Sequence, residues 1–302
     1  MNKRNLFFIL ILFLLVSCYS DGKKEVIDFK GPAPATSSIS FHEDEAIHVG
    51  IASIISPKET FSYYNDLLAF ISQKLEMPIH YLQKESYQEI NDLLKKEAID
   101  FAFVGAGAYV DAKKNNIARL LVAPVSDHKN KYKAYIIVHK SSGIKTFSDF
   151  KGKNFAYTDP LSNTGYNFIV AKIKDMGYNE NKFFSKTIFS YGNDLSCELV
   201  NKGVMDGASV SSEVYAYLKQ YNPEKIKNLK IIEESDYFPT PPVVVPNNID
   251  EKKYKLYKNI FLNLHKDPIG KEILEKVNID YFIDVSDAEY VEVKKLSKRA
   301  KE

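Results

Sequence analysis

The sequence predicts an α/β protein built as two similar lobes around a central cleft. Three observations carry this. Short β-rich runs alternate with helical runs from Ala46 onward, which implies mostly parallel sheets covered by helices. The alternation restarts after Ser141-Ser142-Gly143. One pattern also occurs twice: Asp100-x-Ala102-x-Val104 with Tyr109 behind it returns as Asp206-x-Ala208-x-Val210 with Tyr215 behind it. Each copy reads as a strand, a turn rich in Gly or Ser, and a helix start. In such sheets ligands bind beyond the carboxyl ends of the strands, where helix N-termini point.

In the first lobe, Ile47–Ala52 reads as a strand. The run to Leu75 carries Leu67, Leu68, Ile71 and Leu75 at helical spacing. Ile79–Leu82 is a strand and Tyr87–Lys96 a helix with Ile90, Leu93 and Leu94 inward. Ile99–Val104 is a buried strand, and a short helix follows from Ala108. Arg119–Val125 and Tyr135–His139 are further strands. In the second lobe, Asn154–Thr158 is a strand, Asp159–Gly165 a turn and Tyr166–Met176 a helix. Thr187–Ser190, Gly207–Val210 and Lys230–Glu233 are strands, with helices over Leu195–Lys202 and Ser212–Gln220. Val243–Val245 reads as a strand returning to the first lobe. Helices over Leu256–Leu264 and Gly270–Val277 and a tail complete the chain. The boundaries predicted are 46–140 for lobe 1, 141–241 for lobe 2, and 242–302 for the return and C-terminal helices.

The N-terminus indicates where the protein resides. Lys3 and Arg4 precede eleven apolar residues, Leu6 to Val16, too few to span a bilayer and suited to a secretory signal over 1–17. Leu15-Val16-Ser17-Cys18 resembles a bacterial lipobox, which implies cleavage before Cys18 and lipid on its thiol. Residues 18–45 are polar, with Gly31-Pro32-Ala33-Pro34 and Thr36-Ser37-Ser38, and read as a tether to the membrane. The expected location is extracytoplasmic. Of 41 Lys+Arg, Lys3 and Arg4 fall in the signal, leaving 39 against 39 Asp+Glu. A chain with no net charge is a poor polyanion binder, so nucleic acid is not an expected partner. Two cysteines, Cys18 and Cys197, rule out a disulfide framework and a Cys-cluster zinc site. Cys197 lies between Leu195 and Leu199 and reads as buried packing.

Several segments, in order, carry a resemblance to a known family. These are Ser56-Pro57 with Tyr63-Tyr64, then Asp100–Gly105 with Ala108-Tyr109-Val110, then Phe147-x-Asp149-Phe150-x-Gly152-Lys153. Thr158-Asp159-Pro160-Leu161-Ser162-Asn163-Thr164-Gly165-Tyr166 and Val204–Ala208 complete the set. The chain resembles the phosphate, phosphite and phosphonate-binding proteins that serve ABC transporters. The resemblance implies a type II periplasmic-binding fold, with two lobes, a two-strand hinge and closure over the ligand. The hinge is expected near His139–Ser141 and Pro242–Pro246. The resemblance also implies a small phosphorus oxyanion as ligand and a membrane permease as partner, with no cofactor.

The chemistry of the residues fits that ligand. A neutral protein can hold a tetrahedral oxyanion with backbone N–H groups and hydroxyls at helix N-termini. Ser162, Asn163 and Thr164 precede a helix, and Gly165 would permit close backbone approach. All are also good caps. Gly107 and Ala108, in the run Gly105-Ala106-Gly107-Ala108, are the counterpart in lobe 1. The resemblance gives Tyr109 and Tyr64 hydroxyl contacts to ligand, with Tyr63 as a stand-in for Tyr64. Two positions depart from the family pattern: Asn193 stands where histidine is frequent and Ser211 where aspartate is frequent. Serine can donate where a carboxylate only accepts. The expectation is a pocket that prefers a fuller anion, or a different ligand, to an aminoalkyl phosphonate, unless nearby Glu213 restores a negative charge. Asp206 is expected to support its turn.

An enzyme is not expected. The histidines form no H-x-x-x-H pair, and no G-x-S-x-G or phosphate-loop motif is present. Ser142 and Lys145 match a Ser/Lys spacing that abundant lysine produces by chance. A sensor presenting the same closed form to a membrane receptor reads identically in sequence, and a structural lipoprotein on the same scaffold is a third reading.

Overall fold

The computed structural model describes residues 46–302; the predicted signal, Cys18 and the tether lie outside the described residues. In chain order the first lobe begins β1 Ile47–Ala52, α1 Pro57–Leu75, β2 Ile79–Lys84, α2 Tyr87–Lys95, β3 Phe101–Phe103, α3 Ala106–Lys114 and β4 Ala118–Val125. The chain then crosses through β5 Lys131–Tyr132 to β6 Ala134–His139. It continues through β7 Asn154–Tyr157, a π-helical turn Asn163–Asn167, α4 Phe168–Asp175, α5 Glu180–Phe183 and β8 Lys186–Phe189. α6 Asn193–Asn201, β9 Gly207–Ser211, α7 Ser212–Tyr221 and β10 Leu229–Glu234 complete the second lobe. The return is β11 Phe238–Pro239 and β12 Val243–Pro246, followed by α8 Glu251–Asn263, α9 Pro268–Lys276, β13 Tyr281–Ile283 and α10 Val291–Lys301.

The two lobes repeat one topology. The first sheet runs β2-β1-β3-β12-β4, extended by β13, and the second runs β8-β7-β9-β6-β10. In each, the first three strands in the order just given are parallel, and the fourth position is filled by an antiparallel strand. The repeated motif falls on the third strand of each sheet. Its aspartate does the same work twice: Asp100 Oδ2 accepts from His48 N–H at 2.9 Å and Asp206 Oδ2 from Asn154 N–H at 2.8 Å. Each ties the start of the third strand to its parallel neighbour, β1 or β7, which is the supporting role expected of Asp206.

One predicted boundary is corrected. The strand 134–139 belongs to the second sheet, between β9 and β10, and not to lobe 1. The crossing therefore comes earlier than His139–Ser141. It is the short antiparallel pair β5–β11, with Tyr132 opposite Phe238 and Lys131 opposite Pro239. Val243–Pro246 does return to lobe 1, between β3 and β4. The C-terminal tail is a helix, because Val293, Leu296 and Ala300 share one face. It lies across both lobes: Lys301 pairs with Asp111 of α3, while Arg299 pairs with Asp175 and Ala300 O accepts from Lys174 on α4.

Local signals account for the helix limits. Pro57 occupies the first position of α1, where its fixed φ suits a helix and its missing N–H costs no bond. Ser86 and Glu89 form a reciprocal capping box on α2. The lobe 1 core packs Val49, Ile51, Leu67, Leu68, Ile71, Phe101 and Phe261, all nearly fully buried. Lobe 2 packs Phe150, Phe155, Ile169 and Phe183 on one face and Ile137, Val210 and Leu218 on the other. Each such side chain contributes about 1.5–3 kcal/mol by leaving water. Cys197 is among them, buried and free, and burial drives its thiol pKa up.

Candidate functional site

The lobes are closed on each other, and the cleft between them narrows to a small cavity. Its walls come from both lobes. Ile54, Tyr87, Gly105 and Ala106 belong to lobe 1. Ser162, Asn163, Thr164, Asn193 and Ser211 belong to lobe 2, with Tyr132 and Pro241 from the crossing segments. The starts of α2, α3, α6 and α7 and the π-helical turn before α4 all meet here. The first N–H groups of each have no carbonyl one turn earlier to bond, and they carry the positive end of the helix dipole. Among the described residues, no Lys, Arg, His, Asp or Glu lines this cavity.

Hydroxyls cluster around that space. The Tyr87 hydroxyl faces the Ser162 side chain, and the Tyr132 hydroxyl faces those of Asn163 and Thr164. Burial pushes both tyrosine pKa values up, so both phenols remain protonated donors at neutral pH. Ser162 Oγ accepts from Gly165 N–H at 3.0 Å, leaving its own proton to donate. Asn163 is 2% exposed; its Nδ2 lies 3.4 Å from the Tyr132 hydroxyl, and its Oδ1 is buried with no partner. A half-turn of the carboxamide lets Tyr132 donate to Oδ1 and leaves the NH2 as a free donor where the unpaired oxygen was. π-Helical turns of this kind recur at functional sites.

A second compartment adjoins the first and shares Ile54 and Pro241 with it. It is the larger of the two and is walled by Tyr63, Tyr64, Phe103, Tyr217 and Glu213. Glu213 sits in the first turn of α7. Its N–H donates to Ser211 Oγ at 3.2 Å, so the two side chains of one turn serve neighbouring compartments. Among the described residues no group donates to its carboxylate, and burial pushes the carboxyl pKa up to about 7.

The predicted residues divide accordingly. Ser162, Asn163, Thr164, Asn193 and Ser211 are brought together at the small cavity. Asn193 is engaged as a strut: Nδ2 donates to Ile54 O at 2.8 Å across the cleft, and Oδ1 accepts from Ser211 N–H at 2.9 Å. Tyr64 lies in the second compartment, beside Tyr63. The remaining four do different work from that expected. Tyr109 turns away from the cleft: its hydroxyl donates to Asp287 and its ring packs on Tyr290 at 4.9 Å. Ala108 is buried in the lobe 1 core, and its carbonyl accepts from Asn91. Gly107 gives close approach to the other lobe rather than to a ligand, since a Cβ there would lie 2.2 Å from Leu161 O. Gly165 makes room for Thr158, whose Oγ1 would be 2.2 Å from a Cβ. Tyr87 and Tyr132 were not foreseen. Tyr87 follows a visible cap at Ser86, but nothing local marks either ring as cleft-facing.

Fold and cleft together define the class: a two-lobed solute-binding protein of the type II periplasmic-binding fold. The family described as "ABC transporter, phosphonate, periplasmic substrate-binding protein" matches residues 49–290. The phosphonates-binding periplasmic protein of Escherichia coli (strain K12) is 25% identical over 264 residues, 84% of this chain and 77% of that protein. Among solved structures, a binding protein component of an ABC phosphonate transporter from Pseudomonas aeruginosa superposes with a TM-score of 0.79 at 22% identity, covering 85% of this chain and 87% of the other. A protein from Prochlorococcus marinus (MIT 9301) in complex with methylphosphonate superposes with a TM-score of 0.76 at 20% identity, covering 85% and 98%. The chain belongs to the family of periplasmic substrate-binding proteins of phosphonate ABC transporters. No helix among the described residues is long and apolar enough to cross a membrane.

Proposed function

We propose that this chain is a lipoprotein, anchored through Cys18, that captures an organophosphonate in the interlobe cleft and delivers it to an ABC permease. The observation that carries the cargo is the group of Tyr87, Tyr132, Ser162 and Thr164 hydroxyls and the Asn163 amide at converging helix starts, around a cavity that no charged side chain among the described residues lines. Such donors suit a compact oxyanion and require no counter-charge. The second compartment favours a phosphonate over phosphate or phosphite, because it provides space for an organic substituent. Glu213 supplies the negative charge that Ser211 does not, which reverses the preference expected from Ser211 alone and favours a substituent that donates hydrogen bonds.

The test is a thermal-shift panel on residues 19–302, which retain the whole described fold, unfolded and refolded to strip bound ligand. Phosphate, phosphite, methylphosphonate, 2-aminoethylphosphonate, sulfate and arsenate are compared. A ligand at about a hundred times its Kd adds roughly 2.7 kcal/mol, a rise of several degrees. A clear rise with a phosphonate and little with phosphate or sulfate is expected. A flat panel from refolded protein would remove the phosphonate assignment.

Glu213 also sets a pH dependence. Its raised pKa means the carboxyl is mostly neutral at pH 6 and mostly ionised at pH 8. An ammonium-bearing cargo gains from the ionised form and a methyl-bearing cargo does not. The affinity ratio of 2-aminoethylphosphonate to methylphosphonate is therefore expected to rise by up to about tenfold from pH 6 to pH 8. Isothermal titration at both pH values measures it, and Glu213→Gln should reduce the rise to what the head groups' own second ionisation gives.

A further inference from the structure

Glu59, Asp194 and Lys225 join the lobes at a second place, and none of them lines either compartment. Glu59, 5% exposed, sits in the first turn of α1 in lobe 1. All its partners are in lobe 2: Tyr217 OH donates at 3.2 Å, Asn222 Nδ2 at 2.9 Å, and Lys225 Nζ lies at 3.3 Å. Asp194, fully buried, sits in the first turn of α6 in lobe 2. It accepts across the cleft from Ser56 N–H at 2.8 Å and Ser56 Oγ at 2.6 Å. Lys225 stands between the two carboxylates, 3.0 Å from Asp194 Oδ2.

The arrangement has opposite consequences for the open and closed molecule. Ser56 is the N-cap residue of α1, yet its hydroxyl caps nothing on its own helix. It donates to Asp194 instead, which places a carboxylate from lobe 2 over the positive end of a lobe 1 helix. When the lobes part, Asp194 keeps Lys225, whereas Glu59 loses every partner named above. The pairing is buried, unlike an exposed pair such as Lys202–Glu198, which contributes little. On opening, Glu59 exchanges two neutral hydrogen-bond donors and one ammonium for water, and these charge-assisted bonds act on the closed state whether or not a ligand is present.

We propose that Glu59, Lys225 and Asp194 are positioning residues, an interlobe latch that holds part of the ligand-free population closed and raises affinity for every cargo by a common factor. This rests on the reading of the chain as a protein that captures by closing. The latch acts on the closed fraction, and apparent affinity scales with the competent fraction.

The test uses Glu59→Gln, Lys225→Met and Asn222→Ala, the last of which removes one donor and keeps the charges paired. Small-angle X-ray scattering of refolded, ligand-free protein reads lobe closure without any ligand. Each variant is expected to be more extended than the wild type, with Asn222→Ala the least so, and saturating methylphosphonate should return all to one compact profile. Titrations with methylphosphonate, 2-aminoethylphosphonate and phosphate should weaken together, by about tenfold for the charge variants, with their ranking unchanged. Identical ligand-free scattering from wild type and variants would overturn the latch, as would an altered ranking. If no compound binds the wild type, the cargo reading fails, and the ligand-free scattering still decides on the latch.

Discussion

Gly107→Ala is expected to give a folded protein that binds its cargo about 10–100-fold more weakly because it cannot close. A Cβ at this position would lie 2.2 Å from Leu161 O and 3.0 Å from Asn163 N. Both atoms are backbone, on the opposite lobe, so no flexible side chain can yield. Within its own lobe the change is benign: Gly107 lies in the first turn of α3, and alanine is the better helix former. The penalty, about 1–3 kcal/mol for an overpacked contact, falls on the closed state alone and appears as lost affinity. Lobes held apart at Gly107 also lose the Asn193–Ile54 bond and the bond from Tyr87 N–H to Asp159, at 2.8 and 3.0 Å. Titration with methylphosphonate and scattering before and after ligand measure both effects. Full compaction at unchanged affinity would show that the 161–163 turn gives way, and would refute the steric argument.

That glycine also illustrates what was legible in the sequence. The alternation of strands and helices, the repeated motif and the Ser162–Thr164 turn are local patterns, and each sits in the fold where its pattern put it. Sheet membership is not local. Residues 134–139 read as a strand, but what places them in the second sheet is pairing with 207–211, about 70 positions later. Tyr109 fails for a related reason. Its helix start is right, yet its hydroxyl is drawn to Asp287, which only the final crossing of the chain brings near. Tyr87 and Tyr132 are two among 20 tyrosines, and the residues they face, Ser162 and Asn163, lie 75 and 31 positions further on. The small residues at 105–108 were readable as a place of close approach. That the approaching group is the other lobe follows from the lobe contact alone.

Asn163→Asp is expected to abolish oxyanion binding while leaving the fold intact, with the two effects opposite in sign. The substitution changes almost no volume. It places a carboxylate at the first residue of the π-helical turn leading into α4, where the helix dipole favours negative charge. In the open molecule water reaches the group, and thermal stability should hold or rise slightly. In the closed molecule residue 163 is 2% exposed and lines the cavity that receives the anion. Two like charges about 4 Å apart at an effective dielectric constant near 20 repel by about 4 kcal/mol, close to three orders of magnitude in Kd. The loss should be similar for methylphosphonate and for 2-aminoethylphosphonate, because both present the same head group. Asn163→Ala, which removes a donor without adding charge, should cost far less, about 1.5–3 kcal/mol. Melting temperature without ligand and titration with both phosphonates separate the cases. Tight binding by Asn163→Asp would mean that the head group does not sit at the 162–164 turn and that the larger, tyrosine-walled compartment receives it instead.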